Sequence, residues 1–432
     1  MNSYGLFAED AIQRYKALPE EQNELYKRQF INLGADGVFD IFNGGAATPE
    51  DTPESLTSLS KSLFSNALIK FDAVISGTGH VIAPGAKYIT VLSPRDVEMG
   101  TLEKKLYKSS DDKIAALIHA FTKKVLFIDI PNGVKSALNI MFVNSGGPLA
   151  AQVMINCGEE SELGMLEWYA SSSKTKSANM VMHEGTIGPY SNTYVDAVHN
   201  EDANTIVGGL SGYRAGNGAV LRLNYFYNGG LHTKVKNQFD AVAADAMVHA
   251  NELVFGSGSQ KFDVSSNVGN ISPSTTAELH SRAVLMNNAS CIMKGFAKIP
   301  FGSKGARSYV HESGMLLDKT AYLESIPAMS IDENEVKATH SSATGPIDDE
   351  LVFYLMSKGL DETRAKKLLV EGFFSSSVGR FQNSSAKLAA ASLVAEKMTS
   401  GRYGDKLSMT MENIWVGKEN EEDIFKGHYK YR

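Results

Sequence analysis

Residues 220–230 (VLRLNYFYNGG) and 253–264 (LVFGSGSQKFDV) carry the pattern that decides the fold. In both, short runs rich in Val, Leu, Tyr and Phe are joined by turns of Gly, Asn and Ser. Such runs recur from about residue 125 to residue 344, and many short strands at even spacing are typical of a sandwich, a barrel or a solenoid. Periodicity alone leaves the sandwich and the β-helix open. We favour the β-helix, because stacked coils accommodate a region of this length more easily than one sandwich does.

Helices are predicted before the strand-rich region. Apolar residues recur at helical spacing within residues 6–18, 56–64 and 112–121. Between the second and third of these segments, the period changes to that of short strands and turns. We therefore expect a mostly helical domain over residues 1–124, followed by a β-helix core over residues 125–347.

Helices are also predicted after the strand-rich region. The first covers residues 349–358 and is capped by Asp348 and Asp349, and the second covers residues 361–372 and is capped by Asp361. A third helix is expected from about Ser384. Together they predict a helical domain over residues 348–432.

Charge and hydropathy exclude several classes of protein. The 432-residue chain has 42 Lys and Arg against 49 Asp and Glu, a net charge of −7. Proteins that bind nucleic acids or anionic membranes need a basic face, which this balance does not favour. No apolar run approaches the ~18 residues of a spanning helix, and no signal peptide is visible. We therefore expect a cytoplasmic protein that binds neither nucleic acid nor membrane.

The cysteines and the missing motifs exclude further classes. Cys157 and Cys291 lie in apolar runs and are expected to be buried. Two cysteines cannot form a disulfide framework or supply the four thiolates of an iron–sulfur site. No GxxxxGK[ST] sequence is present, so we expect no nucleotide hydrolysis by this chain. The HExxH and GxSxG patterns are also absent.

A β-helix also suggests a second functional class, the polysaccharide lyases and hydrolases, which cleave with paired carboxylates. The best acidic pair in the sequence, Asp348 and Asp349, stands at a predicted helix start, where capping explains it. The aspartates of the strand-rich region are scattered. A polysaccharide-active enzyme is therefore the alternative from a different class of function.

Residues 340–360 (HSSATGPIDDELVFYLMSKGL) resemble a signature of the SufB/SufD family of iron–sulfur cluster assembly proteins. In that family a histidine, small residues and an acid precede a Leu-Phe-Tyr-Leu-x-Ser-Arg/Lys-Gly-Leu motif. The matching residues here are His340, Ala343, Thr344, Gly345, Asp348, Leu351, Phe353, Tyr354, Leu355, Ser357, Lys358, Gly359 and Leu360. The clear resemblance covers residues 283–374, and a looser one begins near residue 125.

The resemblance implies a right-handed parallel β-helix between N-terminal and C-terminal helical domains. It also implies a non-catalytic scaffold that works with SufC, an ABC-type ATPase that docks on the C-terminal helices. A transient iron–sulfur cluster would form where two β-helix subunits meet. The resemblance leaves open the cluster type and whether a reduced flavin assists the complex.

Two positions favour a SufD-like member of this family, and a third departs from the SufD pattern. Glu312 stands where SufB has a cysteine that cluster assembly needs, and Ser341 stands where SufB has a glutamate. Ala338 stands where some SufD proteins have an accessory cysteine. The resemblance implies pairing with a SufB-type paralogue. The alternative is a SufB-like or undifferentiated member that pairs with a second copy of itself.

The resemblance also assigns the candidate cluster ligands. His340, placed just after a final strand over residues 336–339, would bind the cluster, since imidazole can replace thiolate on iron. A lone histidine on a strand is otherwise a hydrogen-bonded structural residue. Glu312 could offer a carboxylate to iron, and a solvated position on an edge strand is the alternative.

The candidate surface for the ATPase lies on the first two C-terminal helices. They carry more apolar and aromatic side chains than two short surface helices need, and packing against the β-helix uses one face of each. The residues expected to contact SufC, with the two basic ones at a polar rim, are Phe353, Tyr354, Met356, Lys358 and Arg364.

Overall fold

The computed structural model describes residues 3–21, 31–44, 51–63, 69–97, 107–144, 147–173 and 175–400. The α-helices within these residues are α1 (Ser3–Ala17), α2 (Val38–Asn43), α3 (Pro53–Leu63), α4 (Lys113–Phe121), α5 (Asp349–Ser357), α6 (Glu362–Gly379) and α7 (Ser384–Ser400), and a 3-10 helix covers Pro94–Asp96. The C-terminal domain was predicted over residues 348–432, and residues 401–432 of it lie outside the described part.

The first ten strands are β1 (Ala73–Ser76), β2 (His80–Ile82), β3 (Ile89–Leu92), β4 (Lys124–Ile130), β5 (Lys135–Asn144), β6 (Leu149–Cys157), β7 (Glu162–Ser171), β8 (Ser177–Ile187), β9 (Asn192–Asn200) and β10 (Thr205–Ala215). The next ten are β11 (Val220–Tyr227), β12 (His232–Ala241), β13 (Met247–Gly256), β14 (Lys261–Asn270), β15 (Thr276–Leu285), β16 (Ser290–Ile299), β17 (Arg307–Leu316), β18 (Tyr322–Ser325), β19 (Ala328–Ile331) and β20 (Lys337–Pro346).

The strands form two sheets that the chain visits alternately. Sheet A has the order β2-β1-β5-β7-β9-β11-β13-β15-β17-β20, and sheet B has the order β18-β16-β14-β12-β10-β8-β6-β4-β3, with β19 also paired to β16. Each coil of the chain gives one strand to each sheet, and neighbouring coils pair in parallel, as β5 does with β7. Antiparallel pairing joins β1 to β2 and β3 to β4. The predicted mainly β fold, a parallel β-solenoid of about eight coils with helices on both sides, is confirmed.

Side chains alternate between the interior, which both sheets share, and the two outer faces. Along β11, Leu221, Leu223 and Tyr225 belong to the interior core, whereas Phe226 belongs to a cluster on the outer face of sheet A. An inward side chain of one coil is covered by the equivalent side chain of the next coil. An end coil therefore leaves its inward side chains uncovered on one side.

Seven of the turns that lead from sheet B into sheet A have a left-handed residue two positions before the sheet A strand. Its φ lies between 54° and 78° in Gly133, Glu160, Tyr190, Gly218, Asp245, Ser274 and Gly305. Glycine reaches this conformation without steric cost. Each of these residues donates its backbone N–H to a carbonyl of the following turn, as Gly218 does to Ala244 at 3.0 Å. The turns therefore stack with the coils along the whole solenoid.

Helices cover the outer faces of both sheets. Leu117 of α4 packs in one cluster with Leu210 of β10, on the outer face of sheet B. Phe374 of α6 packs on the outer face of sheet A, with its ring centroid 5.9 Å from that of Phe255 in β13. No helix in the described ranges is long and apolar enough to cross a membrane.

The predicted caps of the C-terminal helices are confirmed, and one predicted helix end is wrong. Asp348 and Asp361 accept backbone N–H groups in the first turns of α5 and α6. Helix α6 does not end at Gly372 but continues to Gly379. The reason is tertiary packing, because Phe374 and Val378 in the added turns are buried on sheet A.

Lys397 should anchor α7 to the solenoid. Its ammonium is fully buried, donates to the Asn228 carbonyl at 2.6 Å and to Gln260 Oε1 at 2.8 Å, and also binds the Phe255 carbonyl. We expect Lys397→Met to leave buried acceptors unsatisfied and to lower the free energy of unfolding by about 3 kcal/mol in denaturant titrations. Lys367→Met, which removes a half-exposed lysine of α6, is the control and should cost under about 0.5 kcal/mol. Equal losses in the two variants would contradict the anchoring role.

His119 of α4 should make the N-terminal helical packing sensitive to acid. The ring is fully buried, its Nδ1 lies 2.7 Å from Ser109 Oγ, and burial lowers its pKa to about 4. Between pH 6.5 and 4 this histidine is protonated in the unfolded chain but stays neutral in the folded chain. The free energy of unfolding therefore falls as the pH falls, by up to about 3 kcal/mol. In unfolding titrations at several pH values, the free energy of unfolding should fall less at acidic pH for His119→Gln than for the wild type. Identical pH dependence in both proteins would exclude this role.

Candidate functional site

The C-terminal end of the solenoid exposes side chains that earlier coils bury. Strand β20 is the last strand of sheet A and pairs only with β17 among the described strands. His340 of β20 is in register with Val310 of β17, which in turn is in register with Leu279 of β15. Val310 and Leu279 belong to the interior core. His340 therefore stands at an inward position with no described coil beyond it, and its side chain is exposed.

The sequence analysis placed His340 just after a strand, and this was wrong, because His340 lies within β20. Strand β20 runs from Lys337 to Pro346 because it pairs with β17 residue by residue over ten positions. Among the described residues, the His340 ring has no hydrogen-bond or ion-pair partner. An imidazole without a partner is available to a ligand.

Glu312 is buried, and the alternative of a solvated edge residue is wrong. It lies on β17, one coil inside the end, and its side chain points into the interior. Ser325 of β18 donates its hydroxyl to Glu312 Oε2, and Ser325 Oγ lies 2.8 Å from Ser342 Oγ. A Cβ on Gly295 would lie 2.6 Å from Glu312 Oε1, so the glycine makes room for this carboxylate.

The electrostatic environment of Glu312 favours its neutral form. Burial, with a further contribution from the Glu252 carboxylate, raises the pKa of Glu312 to about 7. Glu252 lies deeper in the same interior column, since Ser281 is in register with both glutamates. Its carboxylate accepts hydrogen bonds from Asn237 and Ser281, both at 2.9 Å, and burial raises its pKa as well. The sequence analysis missed Glu252, because only the coil register brings it into line with Glu312.

Helix α5 presents a large apolar surface. Its inner side packs through Val352 against Ile347 and Ala365. On its outer side Phe353 is 73% exposed and Tyr354 is 55% exposed. The other exposed hydrophobic residues of α5 and α6 are Leu351, Met356 and Leu368.

Basic groups flank this apolar surface. The Lys358 ammonium lies 5.2 Å from the centroid of the Tyr354 ring. Arg364 is exposed on α6 and pairs with the Asp361 carboxylate at 3.3 Å. All five residues that the sequence suggested for the ATPase surface are thus exposed.

Both cysteines lie inside the solenoid, and Cys291 on β16 is one strand from β18 at the C-terminal end of sheet B. Cys157 and Cys291 are buried in the interior core, as predicted. Burial raises the pKa of the Cys157 thiol to about 11 and also raises the pKa of the Cys291 thiol well above its ordinary value. Thiols with such pKa values carry almost no thiolate, the form that binds metals. In the described part of the chain, no three His, Cys, Asp or Glu side chains are placed to hold a metal ion.

Comparison with known proteins connects this architecture to one family. Residues 141–373 match the family model described as SUF system FeS cluster assembly, SufBD core domain. The iron–sulfur cluster assembly protein SufD of Bacillus subtilis is 22% identical over 298 residues, which cover 67% of this chain and 68% of that protein.

Two further relatives match over shorter regions. A SufBD family protein of Mycobacterium tuberculosis is 24% identical over 203 residues, 46% of this chain and 24% of that protein. One of Staphylococcus aureus is 26% identical over 121 residues, 28% of this chain and 26% of that protein. The match spans only about a quarter of the length of these two relatives.

Proposed function

We propose that this chain, which belongs to the SufBD family of SUF-system iron–sulfur cluster assembly proteins, is a SufD-like scaffold subunit. It pairs with a SufB-type subunit, and a nascent cluster forms between the two as cargo. A SufC-type ATPase, bound elsewhere on the chain, supplies ATP hydrolysis. The scaffold is non-catalytic and works in the cytoplasm.

The observation that carries the proposal is the exposed, unpartnered His340 ring at the open end of the solenoid. In the earlier coils, the next coil covers the inward side chains. A second subunit placed against this end would cover the inward side chains of the last coil in the same way. Imidazole nitrogen is a good ligand for iron and can replace a thiolate in a cluster. His340 therefore supplies one ligand to the cluster, and the partner supplies the cysteine thiolates.

Glu312 is the second ligand in the proposal. It lies one strand from His340 and two residues further along, so the two side chains are diagonal neighbours on the inner face. To reach iron, the carboxylate must give up its bond from Ser325. It must also lose the proton that its raised pKa favours.

The exposed face of α5 and α6 is the proposed docking surface for the ATPase. Phe353, Tyr354 and Met356 form its apolar centre, and Lys358 and Arg364 form its polar rim. Exposed aromatic residues ringed by polar groups are typical of protein interfaces. A reduced flavin has no support among the described residues and is not part of the proposal.

A homodimer of a less differentiated family member is the competing proposal. It would bring two copies of His340 together, without the partner's cysteines. The experiment is native mass spectrometry of the tagged chain, purified from cells that express the complete SUF system. We expect one copy of this chain, one cysteine-bearing paralogue and the ATPase. Two copies of this chain without the paralogue would support the homodimer, and absence of the ATPase would contradict the scaffold role.

A further inference from the structure

A small cavity lies between the two sheets in the middle of the solenoid. Its volume is about 20 Å³, and it is bordered by residues of β7 to β12. One water molecule needs roughly 10–15 Å³ of such space, so the cavity is large enough for a single water. Its position in the middle coils separates it from the open end that carries His340.

The cavity exists because Gly209 interrupts a column of valines. Gly209 is in register with Val181 on one side and Val235 on the other, and all three border the cavity. Across from them, His199 is stacked between Tyr169 and Tyr227 at centroid distances of 4.0 Å and 5.0 Å. The stacked rings keep the opposite wall in place, so the missing side chain leaves a space.

Two of the residues that line this cavity each have one buried polar atom without a partner in the described structure. Glu201 is fully buried, and its Oε1 lies 3.2 Å from His199 Nδ1, while its Oε2 has no partner in the described structure. Asn179 is also buried, and its Oδ1 accepts from Asn144 at 3.1 Å, while its Nδ2 has no partner there. Buried polar atoms are nearly always hydrogen-bonded, to protein or to ordered water.

We propose that the cavity binds one ordered water molecule between the two unpartnered atoms. The water donates a hydrogen bond to Glu201 Oε2 and accepts one from Asn179 Nδ2. A buried acceptor and a buried donor in one small cavity are the partners that an internal water needs. A cavity with apolar walls would stay empty, but His183, Ser211 and Asn237 add further polar groups to these walls.

A pair of substitutions at one position distinguishes a hydrated cavity from an empty one. Gly209→Ala and Gly209→Ser place the same Cβ in the cavity, 3.1 Å from the Val181 carbonyl oxygen, so they share any steric cost. If a water is displaced, the serine hydroxyl can replace its hydrogen bonds and the alanine methyl cannot. We expect Gly209→Ser to melt about 2 °C above Gly209→Ala.

The matched control is the same pair at Gly345 of β20, where an added Cβ meets no atom within 4 Å. The serine–alanine difference in melting temperature should be larger at 209 than at 345. An equal or smaller difference at 209 would overturn the proposal.

If neither Gly209 variant folds, a crystal structure of the full wild-type chain, at a resolution that shows ordered water, tests the proposal. The proposal predicts density within hydrogen-bond distance of Glu201 Oε2 and Asn179 Nδ2. An empty cavity would overturn it.

Discussion

His340→Ala should abolish cluster maturation by the SUF complex and leave the melting temperature of the isolated chain within about 1 °C of the wild type. The ring is exposed and has no partner among the described residues, so its removal breaks no buried contact and costs under about 0.5 kcal/mol. The same change removes a cluster ligand. The test measures thermal melting of the subunit and iron–sulfur enzyme activity in cells that depend on the SUF system.

His311→Ala is the matched control for this prediction. His311 lies on the neighbouring strand β17, is half-buried, and has its Nδ1 2.7 Å from Ser341 Oγ. Loss of this contact should lower the melting temperature while maturation continues. If His340→Ala instead melts early and matures clusters normally, His340 has a structural role, and Glu312 is left as the proposed ligand on this chain.

Combining Tyr354→Ala, Lys358→Glu and Arg364→Glu should abolish co-purification of the ATPase. The three side chains are exposed on α5, at its C-terminal cap and on α6, so the triple variant should fold and melt as the wild type does. An aromatic anchor and two rim charges are lost together, and truncation of one such anchor alone often costs 2 kcal/mol or more of binding free energy. The measurement is the amount of SufC-type ATPase that co-purifies with the tagged chain.

The control for the triple variant carries equivalent changes on the solenoid. Tyr190→Ala, Lys135→Glu and Lys304→Glu also remove one exposed tyrosine and reverse two exposed lysines. This control should bind the ATPase normally. If the α5–α6 variant still binds the ATPase, the interface must lie on another surface of the chain.

The features predictable from sequence are those that local chemistry determines. Runs of Val, Tyr and Phe between Gly and Asn turns predicted the strands, since β-branched and aromatic residues favour them. Asp348 and Asp361 predicted two helix starts, because a carboxylate that caps N–H groups acts within its own turn. The end of α6 was mispredicted at Gly372, because packing of Phe374 and Val378 on sheet A outweighs the low helix propensity of one glycine.

Features that depend on coil register were not predictable from the sequence alone. The spacing between paired positions varies from 26 residues between β10 and β12 to 32 between β16 and β18. No fixed repeat therefore shows which residues share an interior column. The burial of Glu312, its alignment with Glu252 and the space beside Gly209 all follow from that register. The left-handed turn residues give little signal in the sequence, since four of the seven, Glu160, Tyr190, Asp245 and Ser274, are not glycine.

Anaerobic reconstitution of the purified chain with iron and sulfide, with and without its SufB-type partner, tests the central claim most directly. The readouts are iron and acid-labile sulfide per chain, together with thiolate-to-iron charge-transfer absorbance. Both cysteines of this chain are buried in the solenoid interior, so the cluster needs thiolates from the partner. We predict a stoichiometric cluster only when both subunits are present and only when His340 is intact. A stable cluster at full occupancy on this chain alone would contradict the account.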